Sequence, residues 1–314
     1  MHTVRPDYYD KFECTAEKCR HNCCIGWEID IDEYTLAYYD GLEDKIGQRI
    51  RNNITRKDTA CFKMTENGRC PMLNDNGLCE IMLNLGTDSV CDICYEHPRF
   101  YNEYDSHTEC GLGLCCEAVC RLVIDNSDTV KLIGLTDKLG ADRRIAQRKK
   151  VISILQDRSK PIEVRMRDML CECGVNDFDI SVPCWTDKLF KLERLSDDWT
   201  RNLDMLKRYY SPDIIEPFKK YMSERQTEYE QLAVYLIYRY MLTAEPSPRA
   251  AILFTYMSYR LTEALGAVLY AINGRFTIDD QLEIIRQYSS EIEYSTDNLD
   301  ILTASLCELV KKET

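Results

Sequence analysis

Long hydrophobic runs are absent from this 314-residue sequence. The longest apolar region, residues 250–270, is interrupted by Arg260 and Glu263. It therefore lacks the roughly 20 consecutive apolar residues that a helix needs to cross a bilayer. The N-terminal residues also lack the apolar segment of a signal peptide. We therefore expect a protein without a membrane span that resides in the cytoplasm.

Positive charge is scarce relative to negative charge. The chain has 40 Lys and Arg residues against 53 Asp and Glu residues, and its net charge at pH 7 is −13. An acidic surface repels the phosphate backbone of nucleic acids, so we expect no nucleic-acid partner. The charge suits a basic partner such as a lysine-bearing protein substrate, although solubility is the simpler explanation.

Cysteine, by contrast, is abundant and unevenly distributed. Thirteen of the 17 cysteines precede residue 121, and all four histidines lie in the same segment. In a reducing compartment, many cysteines indicate metal or redox chemistry rather than disulfides. The structural alternative is a disulfide scaffold or a set of buried thiols that pack as small apolar groups.

Composition divides the chain into two parts. Residues 1–125 are rich in Cys, Gly and Asn, which predicts a loop-rich metal-binding module, whereas helical patterns dominate residues 126–314. We therefore predict a mainly α protein, in which the N-terminal cysteine-cluster module packs on a C-terminal helical domain.

Several local patterns predict individual elements. In the first part, apolar spacing predicts one helix from Glu33 to about Asn52 and another that begins near Gly113. The Asn-Gly pairs at 67–68 and 76–77 predict tight turns. In the second part we expect helices over residues 143–156, after Thr277 and over residues 299–311. The tyrosine-rich stretch 229–240 is interpreted as core.

The cysteines of the first part form four short motifs. Thiolate sulfur is a preferred ligand of zinc and of iron–sulfur clusters. The spacing alone fits one four-iron cluster, two metal sites or a structural zinc. Adjacent cysteines point in different directions, so usually only one of them binds a given metal. The motifs are Cys14-x4-Cys19-x3-Cys23-Cys24, Cys70-x8-Cys79, Cys91-x2-Cys94 and Cys115-Cys116-x3-Cys120.

Some of these cysteines stand in longer strings. The strings are Phe12-Glu13-Cys14 with Cys19, Cys23-Cys24 and Trp27; Gly68-Arg69-Cys70-Pro71-Met72-Leu73 with Gly77-Leu78-Cys79; Cys94 with Pro98-Arg99; and Cys116 with Arg121-Leu122. Together they resemble the flagellin lysine-N-methylase family. A shorter form of the pattern is shared with a wider group of iron- or zinc-chelating cysteine-cluster proteins.

The resemblance implies which thiols bind metal. Glu117 departs from the pattern, which has a proline after the last cysteine. The thiols on the pattern are Cys14, Cys19, Cys23, Cys24, Cys70, Cys79, Cys94 and Cys116. The cysteines of this part that lie outside the pattern are Cys61, Cys91, Cys110, Cys115 and Cys120.

The resemblance also implies an enzyme. It implies transfer of methyl groups from S-adenosylmethionine to lysine side chains of flagellin or another lysine-bearing protein substrate. It further implies an iron–sulfur cluster, expected to be a [4Fe–4S] cluster, with zinc as the alternative. The second interpretation is a non-enzymatic iron- or zinc-binding module, such as a metal carrier or an interaction protein. Neither a C-x3-C-x2-C motif nor a Rossmann glycine-rich turn marks a site for S-adenosylmethionine.

Lysine methylation requires a base, because the lysine must lose a proton before its nitrogen attacks a methyl group. The unperturbed lysine pKa is about 10.4. Glu28, Asp30 and His97 are the candidate catalytic residues. The structural alternatives are that Asp30 caps the helix that follows it and that His97 belongs to a turn beside Pro98.

Overall fold

The protein is mainly helical in a computed structural model, as predicted, and the structure describes residues 2–56, 58–175, 178, 180–243 and 248–311. No helix within these residues is both long and apolar enough to cross a membrane. The α-helices of the described residues are α1 (Glu33–Gly41), α2 (Lys45–Asn52), α3 (Glu80–Leu85), α4 (Asp92–Glu96), α5 (Glu117–Ile124), α6 (Asp137–Gly140), α7 (Arg143–Leu155), α8 (Ile162–Glu172), α9 (Val182–Leu189), α10 (Asp197–Tyr209), α11 (Ile215–Tyr221), α12 (Thr227–Tyr240), α13 (Pro248–Asn273), α14 (Ile278–Tyr288) and α15 (Thr296–Lys311). The strands are β1 (Thr3–Pro6), β2 (Ile54–Arg56), β3 (Ala60–Phe62), β4 (Arg99–Tyr104), β5 (His107–Leu112) and β6 (Leu132–Ile133).

A four-stranded sheet with the order β4-β5-β1-β6 is the main feature that the sequence patterns did not predict. Strand β1 runs parallel to β5, with Thr3 opposite Thr108, and antiparallel to β6, with Arg5 opposite Ile133. Partners so distant along the chain leave no local signal, and β1 is only four residues long. A short antiparallel pair, β2 and β3, forms a separate sheet.

The contacts divide the chain into two compact units. The helical unit comprises Met1–Phe12, Tyr101–Cys115 and Val119–Thr314, and the cysteine unit comprises Glu13–Phe100 and Cys116–Ala118. All eight cysteines of the family pattern lie in the cysteine unit. The predicted domain boundary at residue 125 stays a prediction.

The core of the helical unit is centred on α13, which is buried from Ala250 to Val268 except at Arg260. Helix α12 packs against it and buries the tyrosine-rich stretch, so the interpretation of this stretch as core is confirmed. Tyr229, Tyr235 and Tyr238 are all at most 2% exposed. Burial of a large apolar side chain contributes about 1.5–3 kcal/mol, so this helix pair contributes strongly to the stability of the unit.

In residues 126–314, capping residues mark where the predicted helices begin. The predicted helix over residues 143–156 is confirmed as α7, where the Asp142 carboxylate accepts hydrogen bonds from two backbone N–H groups. Helix α14 begins after Thr277, which forms a capping box with Asp280. Gly274 adopts a φ of 68° just after α13 ends. The last helix begins at Thr296, three residues earlier than expected.

The single helix predicted from Glu33 to Asn52 is wrong, because the chain forms α1 and α2 with a break at residues 42–44. The Asp44 carboxylate caps α2 by accepting the N–H of Gly47 at 2.8 Å. The Arg51 guanidinium of α2 donates to the carbonyl oxygens of Tyr39 and Leu42 at the end of α1.

The helix expected near Gly113 begins only at Glu117. Both predicted Asn-Gly turns are confirmed, with positive φ at Gly68 and Gly77.

Close packing between α1 and α2 predicts that Gly47 tolerates no side chain. A Cβ at Gly47 would lie 2.7 Å from the Leu42 carbonyl oxygen and closer still to the Leu42 Cβ, whereas a Cβ at Gly41 would meet nothing within 4 Å. We expect Gly47→Ala to lower the free energy of unfolding by about 1–3 kcal/mol. Gly41→Ala should leave it unchanged or raise it by up to about 1 kcal/mol. Urea unfolding of both variants measures the difference, and equal values would contradict the packing.

A buried ion pair in the helical unit generates a second prediction. Glu109 on β5 and Arg148 on α7 are both fully buried, with a 2.6 Å hydrogen bond from the guanidinium to Glu109 Oε2. We expect Glu109→Gln to lower the free energy of unfolding by about 3–5 kcal/mol, because it leaves the Arg148 charge buried without its partner. Asp10→Asn removes the exposed pair with Arg5 and should cost less than about 1 kcal/mol. Similar losses in urea unfolding would argue against this account.

Candidate metal centre

Backbone hydrogen bonds join the cysteine-bearing segments of the cysteine unit. The N–H of Cys70 donates to the Cys24 carbonyl oxygen at 2.8 Å, and Gly26 donates to Gly68 at the same distance. The loop between Cys70 and Cys79 turns at Gly77, whose φ is 75°. The side chain of Asn74 holds this loop by accepting the N–H of Leu78 at 3.0 Å. Local turns thus bring thiols from separate stretches of sequence together.

Five thiols form what we call the inner thiol group: Cys24, Cys70, Cys79, Cys91 and Cys94. They belong to one hydrophobic cluster of the cysteine unit, in which Cys70 and Cys91 are buried and the other three are half-buried. The Sγ atoms of Cys91 and Cys94 are hydrogen-bonded at 3.4 Å. No disulfide joins the cysteines of the described residues.

The inner thiols act on one another electrostatically. Burial, together with the neighbouring Cys79 and Cys91, raises the pKa of Cys70 to about 11. A hydrogen bond with Cys23, burial and the charges of Cys70 and Cys79 raise the pKa of Cys24. Thiols that are buried together cannot all ionise unless a cation compensates their charge. A metal bound through several thiolates supplies this compensation.

Backbone donors support negative charge on these sulfurs. The N–H groups of Met72 and Leu73 donate to the Cys70 sulfur. The N–H groups of Ile81 and Met82, in the first turn of α3, donate to the Cys79 sulfur. Such hydrogen bonds are common at iron–sulfur sites, where they tune the cluster. The donor set therefore fits a thiolate-bound metal or cluster.

The inner thiols are not as closely grouped as the ligands of a metal-bound site. Among the described residues, no three His, Cys, Asp or Glu side chains are grouped so that they could hold one metal ion. The fit therefore rests on the convergence and chemistry of the thiols.

The other predicted ligands lie outside the inner group. Cys23 is at its edge, where a hydrogen bond from Cys24 lowers the Cys23 pKa to about 7 against the opposing effect of burial. Cys19 lies within electrostatic range of Cys14 and Cys23, and its Sγ is 4.0 Å from Glu117 Oε2. The exposed Cys14 accepts a hydrogen bond from its own turn.

The structure therefore brings together half of the predicted ligand set in the inner group. Cys116, the last member of the set, directly precedes α5 in the cysteine unit. The full set of eight ligands stays a prediction.

Glu117 organises the loop that carries Cys19. Its carboxylate accepts the backbone N–H of Arg20 at 2.9 Å and the Arg20 guanidinium at 2.8 Å. Although burial raises its pKa, these bonds from Arg20 outweigh burial, so the pKa of Glu117 lies below its usual value. The acidic residue that departs from the family pattern thus ties the Cys19 loop to the start of α5. Sequence reasoning gave no signal for this contact.

Trp27 and His97 flank the thiols. The indole N–H of Trp27 donates to the Cys23 carbonyl oxygen, and its ring packs against the same hydrophobic cluster. The ring centroids of Trp27 and His97 are 6.2 Å apart. Burial lowers the pKa of His97 to about 4, so the imidazole is neutral at pH 7 and is a weaker base than an exposed histidine.

The two acidic candidates lie apart from the inner thiols. The exposed Glu28 accepts a hydrogen bond from the sulfur of Cys61 at 2.9 Å. Asp30 is exposed and pairs with Cys61 through the backbone. The cap of α1 is Asp32 rather than Asp30, since the Asp32 carboxylate accepts the N–H of Thr35 at 2.8 Å. Along the chain, His97 lies three residues from Cys94, which is closer to an inner thiol than either acidic candidate is.

The lowered pKa of His97 predicts how the metal-free protein responds to acid. In the unfolded protein the His97 ring becomes protonated below its usual pKa of 6.5. In the folded protein it becomes protonated only near pH 4. Stability is therefore full above pH 6.5 and falls as the pH drops toward 4, by at most about 3 kcal/mol from this group. Thermal unfolding of the chelator-treated protein should show a smaller acid-induced loss for His97→Gln than for the wild type. Identical losses would contradict the assignment.

Comparison with known proteins connects this chain to a family. Residues 183–312 match the model of the FliB lysine N-methylase C-terminal domain. This part of the chain is similar to the lysine N-methylases. The resemblance predicted from the cysteine motifs is thus confirmed, and it extends to α9–α15 of the helical unit, outside the residues that carried it. No solved structure matches the chain.

The curated relatives match over a limited region. The lysine-N-methylases of Salmonella typhimurium and Salmonella choleraesuis are each 26% identical over 136 residues, which are 41% of this chain and 34% of each relative. The flagellar biosynthetic protein FliU of Salmonella muenchen is 25% identical over 136 residues, which are 41% of this chain and 80% of that protein. The match thus spans about a third of the length of the two lysine-N-methylases.

Proposed function

We propose that this chain is an S-adenosylmethionine-dependent protein lysine N-methyltransferase that holds an iron–sulfur cluster in its cysteine unit. The observation that carries the proposal is the inner thiol group, present in a relative of the lysine N-methylases. Flagellin is the proposed substrate, since one relative is named for flagellar biosynthesis. The net charge of −13 favours approach of a lysine-rich surface.

The proposed cluster would be held by the inner thiols, with Cys23 at the edge of the group. The [4Fe–4S] type is the form that the family resemblance implies, and zinc is the alternative metal. When bound, such a cluster offers an electron-transfer centre or an open iron site to which the amino and carboxylate groups of S-adenosylmethionine can bind.

The residues around the proposed cluster would help to remove the proton from the substrate lysine. Its nitrogen carries a proton at pH 7 and must lose it before it forms a bond to the methyl carbon. The neutral imidazole of His97 is the proposed acceptor of this proton, and because burial makes it a weak base, the transfer also requires a lowered lysine pKa. The apolar ring of Trp27, next to His97, helps to exclude water, which favours the uncharged lysine.

Anaerobic purification and a methylation assay test the proposal together. We expect a brown wild-type protein that contains iron and sulfide and adds methyl groups to flagellin in the presence of S-adenosylmethionine and a reductant. Methylation keeps the lysine charge, so the product is measured by mass. The double variant Cys70→Ser/Cys79→Ser should lose both iron and methylation, whereas Cys184→Ser, at an exposed thiol of the helical unit, should keep both.

Two results would contradict the proposal in different ways. A colourless wild type that holds only zinc would defeat the iron–sulfur assignment. A wild type that carries iron and sulfide but adds no methyl groups, although flagellin from the same cells contains methyl-lysine, would favour a non-enzymatic metal-binding module.

A further inference from the structure

Cys91 is the most deeply buried thiol of the inner thiol group, with 1% exposure against 6% for Cys70. It precedes α4, and Cys94 lies one turn later on that helix. The family pattern includes Cys94 but not Cys91. In the structure, however, the two sulfurs are 3.4 Å apart. Two sulfurs on one tetrahedral metal atom lie about 3.8 Å apart when each metal–sulfur bond is about 2.3 Å. Both sulfurs are therefore within reach of the same centre.

Other thiols are among the neighbours of Cys91, together with Asp32 and Tyr39. It acts electrostatically on Cys70 and on Cys79, so it lies close to three of the other four inner thiols. Cys61, in the same unit, is also buried, but its sulfur donates to the carboxylate of Glu28 at 2.9 Å. Burial alone thus does not distinguish Cys91, but convergence with other sulfurs does.

We propose that Cys91 is a metal ligand of this chain, bound at the same centre as Cys94. Cys91 then supplies the second thiolate of a C-x2-C chelate, the arrangement that holds metals in many thiolate sites. The inference rests on the proposed metal centre, and it adds to that centre a ligand that the family pattern omits.

The test compares two buried cysteines outside the family pattern. Wild type, Cys91→Ser and Cys61→Ser are purified anaerobically, reconstituted with iron and sulfide, and measured for bound iron, bound sulfide and the electron paramagnetic resonance spectrum of the reduced protein. We expect Cys91→Ser to lose most of its iron or to show an altered spectrum. Cys61→Ser should match the wild type. Circular dichroism of the metal-free proteins shows whether each variant keeps its helices.

A measurement on the wild type keeps the inference testable if Cys91→Ser does not fold. The chelator-stripped and the iron-loaded wild type are alkylated anaerobically in the highest urea concentration at which the loaded protein keeps its iron. Mass spectrometry then identifies the modified cysteines. We expect iron to protect Cys91 together with Cys94.

Each outcome decides the inference. Full iron and an unchanged spectrum in a folded Cys91→Ser, or equal alkylation of Cys91 with and without iron, would overturn the role of Cys91 and leave the proposed cluster intact. A wild type that binds neither iron nor zinc would overturn the metal centre and this ligand together. Loss of iron in Cys61→Ser as well would show that the effect is not specific to Cys91 and would also overturn the inference.

Discussion

The structure of the cysteine unit depends on the free-energy cost of ionising several thiols that are buried in one partly apolar cluster. Hydrogen bonds with Cys23 and Cys91, followed by burial and mutual repulsion, raise the pKa of Cys24 and Cys94. Burial and repulsion raise that of Cys70, so these three groups hold their protons until a cation replaces them. The surrounding turns and backbone donors are arranged for sulfur that carries negative charge. The proposed metal would thus stabilise an arrangement that is otherwise held by backbone hydrogen bonds and a small apolar cluster.

The helical unit is stabilised in a different way. Its core consists of long, nearly fully buried helices and contains paired buried charges, such as Glu109 with Arg148 and Glu230 with Arg165. Such pairs are costly to break, because either partner alone is an uncompensated charge in an apolar surrounding. This unit contains the region that matches the lysine N-methylase C-terminal domain.

The candidate site illustrates what sequence patterns can and cannot predict. Turn glycines and capping residues act on their immediate neighbours, so the turns at Gly68 and Gly77 and the start of α14 could be predicted from sequence. The break between α1 and α2 could not, since it depends on contacts of Arg51 with carbonyl groups of the preceding helix. The pairing of β1 with β5 likewise joins residues about a hundred positions apart.

The sequence by itself determined the helical class, the resemblance to the lysine N-methylases and the concentration of thiols in the first part, because each of these depends on composition or on short-range spacing. Only the tertiary structure decided which thiols meet. It placed Cys91 beside Cys94 and Cys19 beside Glu117. The physical reason is that sulfur–sulfur proximity depends on how distant turns fold against one another, and a one-dimensional motif does not contain that information.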